Sequence, residues 1–298
     1  MELTQSIPPS RLPAIISPST GEMPCPTGRS VQDKLQRARG AGRLGVKLRD
    51  GRTALGTLFQ DGCCKIRLPK THGTAAEAVL INTSGGLTGG DAVEWRARAA
   101  AGTKLVLTTQ ACERAYRSTG ENARVATSLS VEAGAHVDWL PQETILFEGS
   151  RLERRLDVEL EEGATFTAVE AVLLGRKAMG EAARTASLKD SWRIFRAGKL
   201  VHAEATCLTG EEGEREGLSL LAGHNAFATV LAITPDAMEK LEKLRVMLGS
   251  SPYAAASVIG ERLILRALAP SGLALRRSLA PAIALLSGAG ALPRLWNI

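Results

Sequence analysis

Two glycine pairs among hydroxyl and amide side chains, closed by a carboxylate, are the residues of this chain whose spacing most invites chemistry: Asn82-Thr83-Ser84-Gly85-Gly86-Leu87-Thr88-Gly89-Gly90-Asp91. Glycine takes positive φ without steric cost and lets a backbone or ligand approach closely. Gly85, Gly86, Gly89 and Gly90 therefore shape a tight loop. Nucleotide binding does not fit it. No Gly-Lys-Ser/Thr ending follows, and the spacing is not that of a dinucleotide loop. After Asp91 the run Ala-Val-Glu-Trp-Arg-Ala-Arg-Ala alternates like a strand and opens no helix.

Three further runs carry polar groups in unusual settings. Thr108-Thr-Gln-Ala-Cys-Glu-Arg114-Ala-Tyr116-Arg-Ser118 packs hydroxyls, an amide and charges into a short stretch. Trp139-Leu-Pro-Gln142-Glu143-Thr-Ile-Leu-Phe147 sets an amide and a carboxylate in apolar surroundings, where such groups need hydrogen-bond partners. Gly175-Arg176-Lys-Ala-Met-Gly-Glu181 brackets small turns with a potential ion pair. Familiar catalytic patterns do not occur. The four histidines form no His-x-x-x-His and stand at no metal-ligand spacing with Cys or Glu, so His136 and His202 are expected in structural or exposed roles. There is no Gly-x-Ser-x-Gly elbow. Paired carboxylates could act on glycosides, but aromatics, which stack sugar rings, are only 4% of the chain.

The elements that hold these runs read as strands. Val93, Trp95, Ala97 and Ala99 alternate with Glu94, Arg96 and Arg98; Val125, Thr127, Leu129 and Val131 form a second row. Leu152, Leu156, Val158 and Leu160 alternate with Glu153, Arg155, Asp157 and Glu159. Turn signals such as Asp50-Gly51 and Ala197-Gly198 separate the rows. The stretches starting at Ala101, Ala133 and Glu162 resemble one another, each with a glycine second (Gly102, Gly134, Gly163), which points to stacked β units. Near the C-terminus, Thr234-Pro235-Asp236 predicts a helix start with a capping hydroxyl. Ala237, Leu241, Leu244 and Leu248 share its face, and Gly249 stops it. A hairpin is expected about Gly260-Glu261, then a helical segment from Leu273 toward Leu286 interrupted by Pro281.

Composition narrows the class. A net charge of +6 is dispersed and not interleaved with aromatics, which argues against nucleic acid and leaves a solvated face or an acidic protein partner. Five scattered cysteines without Cys-x-x-Cys predict reduced thiols and a cytoplasmic setting. No apolar run reaches the roughly 18 residues of a membrane span, and no secretory signal is present. Residues 1–30 hold six of the thirteen prolines and read as a disordered extension. Residues 31–298 are expected to form one β-rich domain.

Five words occur in order: the Ser-Gly-Gly-Leu-Thr-Gly-Gly-Asp loop, Thr-Thr-Gln-Ala-x-Glu-Arg-x-Tyr-Arg-Ser, Trp-Leu-Pro-Gln-Glu-Thr-Ile-Leu-Phe, Gly-Arg-x-Ala-Met-Gly-Glu, and the terminal Pro-Arg-x-Trp. Together they resemble the UreD (UreH) family of urease accessory proteins, over about Val31 to Trp296. The resemblance implies a mainly β, β-helix-like scaffold of stacked strands with two helices toward the C-terminus. It also implies a maturation factor without catalytic residues that works with UreF and the GTPase UreG on apo-urease. Nickel would be transient cargo, GTP would be used by the partner, and no permanent cofactor or fixed metal site is expected. Asp91 and Glu181 match acidic positions linked to an internal nickel route. Where the family often carries a histidine-containing triplet before the first Gly-Gly, this chain has Asn82-Thr83-Ser84, which removes a ligand. Oxygen donors hold nickel(II) more weakly than imidazole or thiolate, and weak contacts suit transit. Asp91, Glu143 and Glu181 with Thr83, Ser84 and Thr88 are the expected route residues, and Arg176, Gln142, Arg114 and Tyr116 their structural company. Two other readings stay open: a β-solenoid carbohydrate-active enzyme with paired carboxylates, and a ligand-binding module whose loop amides meet an anion.

Overall fold

The alternating rows fold into circuits that each lay one strand in each of two facing sheets. The computed structural model describes residues 36–71, 73–176, 179–211, 213–290 and 292–297. The proline-rich stretch 1–30 lies outside the described residues. Strands β1 (Arg39–Arg49) and β2 (Arg52–Gly62) form an antiparallel hairpin, followed by β3 (Cys64–Arg67) and β4 (Ala76–Asn82). The circuits then run β5 (Ala92–Ala99), β6 (Lys104–Thr109) and β7 (Glu113–Ala115); β8 (Ala123–Val131), β9 (His136–Leu140) and β10 (Thr144–Leu146); β11 (Arg151–Leu160) and β12 (Thr165–Leu174). A fourth circuit starts as β13 (Ser187–Arg196) and turns back through β14 (Lys199–Leu208). It is followed by β15 (Ala226–Ile233), α1 (Ala237–Leu248), the hairpin β16 (Ala254–Ile259) and β17 (Arg262–Ala269), and α2 (Gly272–Leu286).

One sheet has the order β14-β13-β11-β8-β5-β1-β2, the other β16-β17-β15-β12-β9-β6-β4-β3. Strands from successive circuits are parallel and in step. Lys104 lies beside His136, and His136 beside Thr165. Each of these residues stands two places after a glycine of the repeat, and Gly102, Gly134 and Gly163 share the same turn conformation at φ 69°, 66° and 73°. The weak repeat in the sequence is thus a repeat in space.

Two cores result. Between the sheets, side chains stack in rungs: Trp95 meets Thr127, Thr127 meets Leu156, and Leu156 meets Trp192. All four are buried. A second core lies between the outer face of the second sheet and the helices, built from Val106, Leu140, Val169, Leu241, Leu244, Leu275 and Leu279. The fold is mainly β with two C-terminal helices, and the hairpin about Gly260-Glu261 is present.

Two local expectations are corrected. The Thr234 hydroxyl caps no helix amide. It donates to the Asp236 carboxylate, and Asp236 occupies the N-cap without a side-chain cap bond. Pro281 does not interrupt α2. It lies on the exposed face, so the carbonyl it leaves unpaired can face water, while buried Leu275, Leu279, Ile283 and Leu286 hold the helix down. Ser271 caps the start, its Oγ accepting from the Ala274 N–H at 3.3 Å.

The terminal word ties the helical layer to the coils. Trp296 is buried, donates from Nε1 to the Leu140 carbonyl at 2.9 Å, and lies 5.0 Å beneath the Arg276 guanidinium. Trp296→Ala is expected to cost about 3–5 kcal/mol of unfolding free energy. Trp296→Phe, which keeps most of the volume but loses one hydrogen bond, is expected to cost about 1–2 kcal/mol. Denaturant titration checks both.

Candidate functional site

Four of the five words occupy the same corner of successive circuits. Leu87 bridges Ala115, Ala115 pairs with Leu146, and Leu146 with Leu174, giving a narrow third side whose buried leucines and alanine stack inward. The glycine loop is the first storey of that stack. A Cβ on Gly86 would stand 2.3 Å from the Tyr116 ring, and one on Gly89 2.1 Å from Ser118 Oγ. Both glycines let the loop lie flat on the next circuit.

The predicted residues fall into three groups. Asp91 is buried, and its two oxygens accept the N–H groups of Ala38 and Thr88, each at 2.8 Å. Thr88 donates to the Arg117 carbonyl at 2.8 Å and Thr83 to the Cys63 carbonyl at 3.0 Å. Ser84 Oγ lies 2.5 Å from Asn82 Oδ1 and 2.8 Å from the Gly86 carbonyl. In the second group, Tyr116 donates to the Gly85 carbonyl at 3.3 Å and meets Phe147 edge-on at 5.1 Å. Arg176 stacks 4.5 Å over Phe147 and pairs with Glu181, whose other oxygen accepts the Glu148 N–H at 2.6 Å. Burial would raise the Glu181 carboxyl, but the bonds from Arg176 and Glu148 outweigh it and hold it below its ordinary value. Arg114 is exposed beside this column.

The third group faces α2. Arg276 Nε donates to Glu143 at 2.8 Å, and its Nη2 reaches Gln142 and Glu143. Burial would raise the Glu143 carboxyl, but the bond from Arg276 keeps it low. Cys112 Sγ lies 3.5 Å from Glu143, and burial followed by that negative charge pushes its thiol up to about 11. The structure thus brings Asp91, Thr83, Ser84 and Thr88 together at the start of the corner stack, sets Arg176 and Glu181 at its end, and turns Gln142 and Glu143 toward the helical layer. His136 and His202 are both buried. His136 stands 2.6 Å from Asp138 beneath the end of α2. Among the described residues no three of His, Cys, Asp and Glu converge as metal ligands.

Sequence reasoning missed the charged centre between the sheets. Arg154 is 8% exposed; its Nη1 lies 2.6 Å from Glu170 and 2.9 Å from Thr144 Oγ1, and its Nη2 2.6 Å from Asp190. Trp139 Nε1 donates to Glu170 at 3.0 Å. Among the described residues, Arg154 Nε and Asp190 Oδ1 find no hydrogen-bond partner. Burial pushes the Glu170 carboxyl up and Arg154 opposes it; the charge of Asp190 adds to the rise, and the result is about 7. Glu113, opposite Thr144 on the neighbouring strand, accepts from Asn82 Nδ2 at 3.2 Å and is also raised, by burial. Polar contact therefore runs from Ser84 through Asn82 to Glu113, whose charge faces Arg154 and its two carboxylates. A cleft of about 250 Å³ opens at the near end beside Asn82, Gly85, Gly86, Cys112 and Glu113. Another of about 360 Å³ lies beside Gly175, Glu181 and Ser271. The signal was parity: position 154 falls in the inward row with Leu152 and Leu156, and Asp190 in the one with Leu188 and Trp192.

The model of the family described as UreD urease accessory protein matches residues 38–297, a span that contains all five words. The chain is similar to the urease accessory protein UreD of Chelativorans sp. (strain BNC1), 73% identical over 264 residues that cover 89% of this chain and 95% of that protein. It is 50% identical to the protein of the same name from Agrobacterium fabrum, over 88% of this chain and 92% of the other. With that of Rhizobium rhizogenes it shares 48% identity over 91% and 100% of the two chains.

The charged centre yields a pH signature. A carboxyl whose folded pKa lies above its ordinary 4.5 favours the fold while protonated. Its contribution is complete below that value and is lost as pH rises to about 7. Stability is expected to fall by on the order of 1–3 kcal/mol across this window through Glu170 alone. Glu170→Gln should flatten the fall, read from denaturation midpoints between acid and neutral pH; an unchanged slope would mean that Glu170 is ionised throughout.

Proposed function

This chain belongs to the UreD family of urease accessory proteins and functions in urease maturation; we propose that it does so without catalysis of its own, as a scaffold that passes nickel toward apo-urease. Its working partners would be a UreF-like protein, a UreG-like GTPase that consumes the GTP, and the urease apoprotein, assembled in the cytoplasm. Nickel is cargo here, not a resident cofactor. Among the described residues no helix is long and apolar enough to cross a membrane. The carbohydrate-active alternative finds no support among the relatives.

The observation that carries the reading is the run of carboxylates inside the coils beneath the family words. Glu113, Glu170 and Asp190 gather round one permanent cation, so the interior holds more acidic than basic groups. Oxygen ligands of this kind admit a divalent ion and release it. The 250 Å³ cleft at Asn82 and Glu113 supplies an entrance on the face where the glycine loop lies. In this reading Asp91 and Glu181 are positioning residues. Asp91 ties the loop to the chain entering β1 by accepting the Ala38 N–H and closes the loop on itself by accepting the Thr88 N–H, and Glu181 locks the last corner through Arg176 and Glu148. Thr83, Ser84 and Thr88, whose hydroxyls bond within the loop or to its neighbours, offer oxygen at the rim.

Complementation of a strain lacking the gene tests this. Glu113→Gln and Asp190→Asn proteins that fold and still co-purify with the partners are expected to lower urease nickel content several-fold. Asp91→Ala and Glu181→Ala are expected to lower it through disordered corner loops, visible as faster proteolysis of residues 83–91 and 175–186. Full nickel loading with all four folded variants would remove the interior route.

A further inference from the structure

The first sheet ends in a strand that, among the described residues, is paired on one side alone. Strand β2 pairs only with β1, and among the described residues no strand covers its far side. A free edge is a template for another strand, and proteins ordinarily blunt it with charge, proline or a strap. The opposite edge of the same sheet is strapped. β14 is held to β17 by Arg262, which donates to the Val201 carbonyl, and by Arg266, which lies 2.5 Å from Glu204. Among the described residues, the bonds that β2 makes beyond β1 lie toward its ends: Thr53 N–H donates to the Thr74 carbonyl at 3.0 Å, and Gln60 Oε1 accepts the Ile66 N–H at 2.6 Å. Between them Ala54-Leu55-Gly56-Thr57-Leu58-Phe59 carries neither charge nor proline, and Leu55, Leu58 and Phe59 are 44%, 40% and 49% exposed.

The pattern of this segment is self-complementary. Gly56 is the extra residue of a bulge, since Gly45 pairs with Thr57 and Val46 with Leu55. The bulge puts Leu55, opposite Val46, and Leu58, opposite Leu44, on the inward face together. Ala54, opposite Lys47, and Phe59, opposite Arg43, share the outer face. A twofold axis between Gly56 and Thr57 would place Leu55 against Leu58 of a second copy and Ala54 against Phe59 of that copy. Each contact joins residues of the same face. At the flanks the same operation sets Arg52 against Asp61 of the second copy. Both are exposed, and among the described residues neither forms a salt bridge within the chain. A one-residue slip would put Leu55 on the wrong face and part the charges.

We propose that β2 pairs antiparallel with β2 of a second copy about this axis, giving a symmetric dimer. Main-chain hydrogen bonds join the open hexapeptides, the leucines fix the register, and two Arg52–Asp61 pairs close the ends. The proposal goes beyond the maturation reading and does not rest on it.

Sedimentation equilibrium of the full chain over a dilution series tests it. The wild-type chain is expected to show a monomer–dimer equilibrium. Leu58→Asp should raise the dissociation constant by at least about tenfold, since a charge would then be buried opposite Leu55. Arg52→Asp and Asp61→Arg lie at the surface, away from both cores, and each should raise it about two- to tenfold. Mixing these two variants should restore wild-type affinity, because the mixed dimer again sets opposite charges across the axis. The mixing arm decides the matter if Leu58→Asp fails to fold. A wild-type chain that stays monomeric, a dimer that survives folded Leu58→Asp, or no recovery on mixing would each overturn the proposal.

Discussion

In-step parallel stacking of the circuits is the constraint on which the rest of the molecule depends. Because Lys104, His136 and Thr165 share one level, every inward side chain meets its counterpart one circuit away. A slip of one residue would send a whole inward row to the opposite face. The three glycine turns protect that register by giving each crossing between sheets the same geometry. The same periodicity brings four of the five family words, scattered over about a hundred residues of sequence, to one corner. Words so far apart share a surface only because each circuit returns to its start.

The stacking also explains how charge can persist in the interior. Arg154 sits on a level where Asp190 is its partner on the next strand of the same sheet and Thr144 and Glu170 face it from the other strands of the coil, ten or more residues away in sequence. Removing a charge from water is costly unless partners replace the solvent. Here one guanidinium serves two carboxylates and a hydroxyl, and Trp139 supplies a further donor to Glu170. The arrangement leaves Asp190 with an unmatched oxygen and Glu170 with a raised pKa. Leucines of similar volume would leave no such group unmatched, so this polar centre is held at a cost in stability.

The helical layer answers a different need. The second sheet is apolar on both faces, so α1, α2 and Trp296 cover the side that the first sheet cannot reach. Arg276 then links this layer to Gln142 and Glu143 in the third word. The terminal word, with Trp296 on Leu140 and beneath Arg276, thus fastens the helical layer to the third word.

Much of this was legible in the residues. Alternation marked the strands, small-residue–glycine turns marked the repeat, Leu241 and Leu244 marked the buried face of α1, and the five words marked the family. These are local signals, set by backbone sterics and by which side of a strand must avoid water. Parity even pointed inward at Arg154 and Asp190, yet a charge in a strand reads as exposed until its partners are known. The roles of Asp91, Glu143 and Glu181 were not legible for the same reason. Whether a carboxylate is a free ligand or is tied by amides and arginine depends on Ala38, Arg276 and Arg176, brought to it by the folded chain. The sequence by itself determined the strands, the turns and the kinship. Only the tertiary structure decided which charges meet, because electrostatic partnership depends on distance in space and the circuits set that distance.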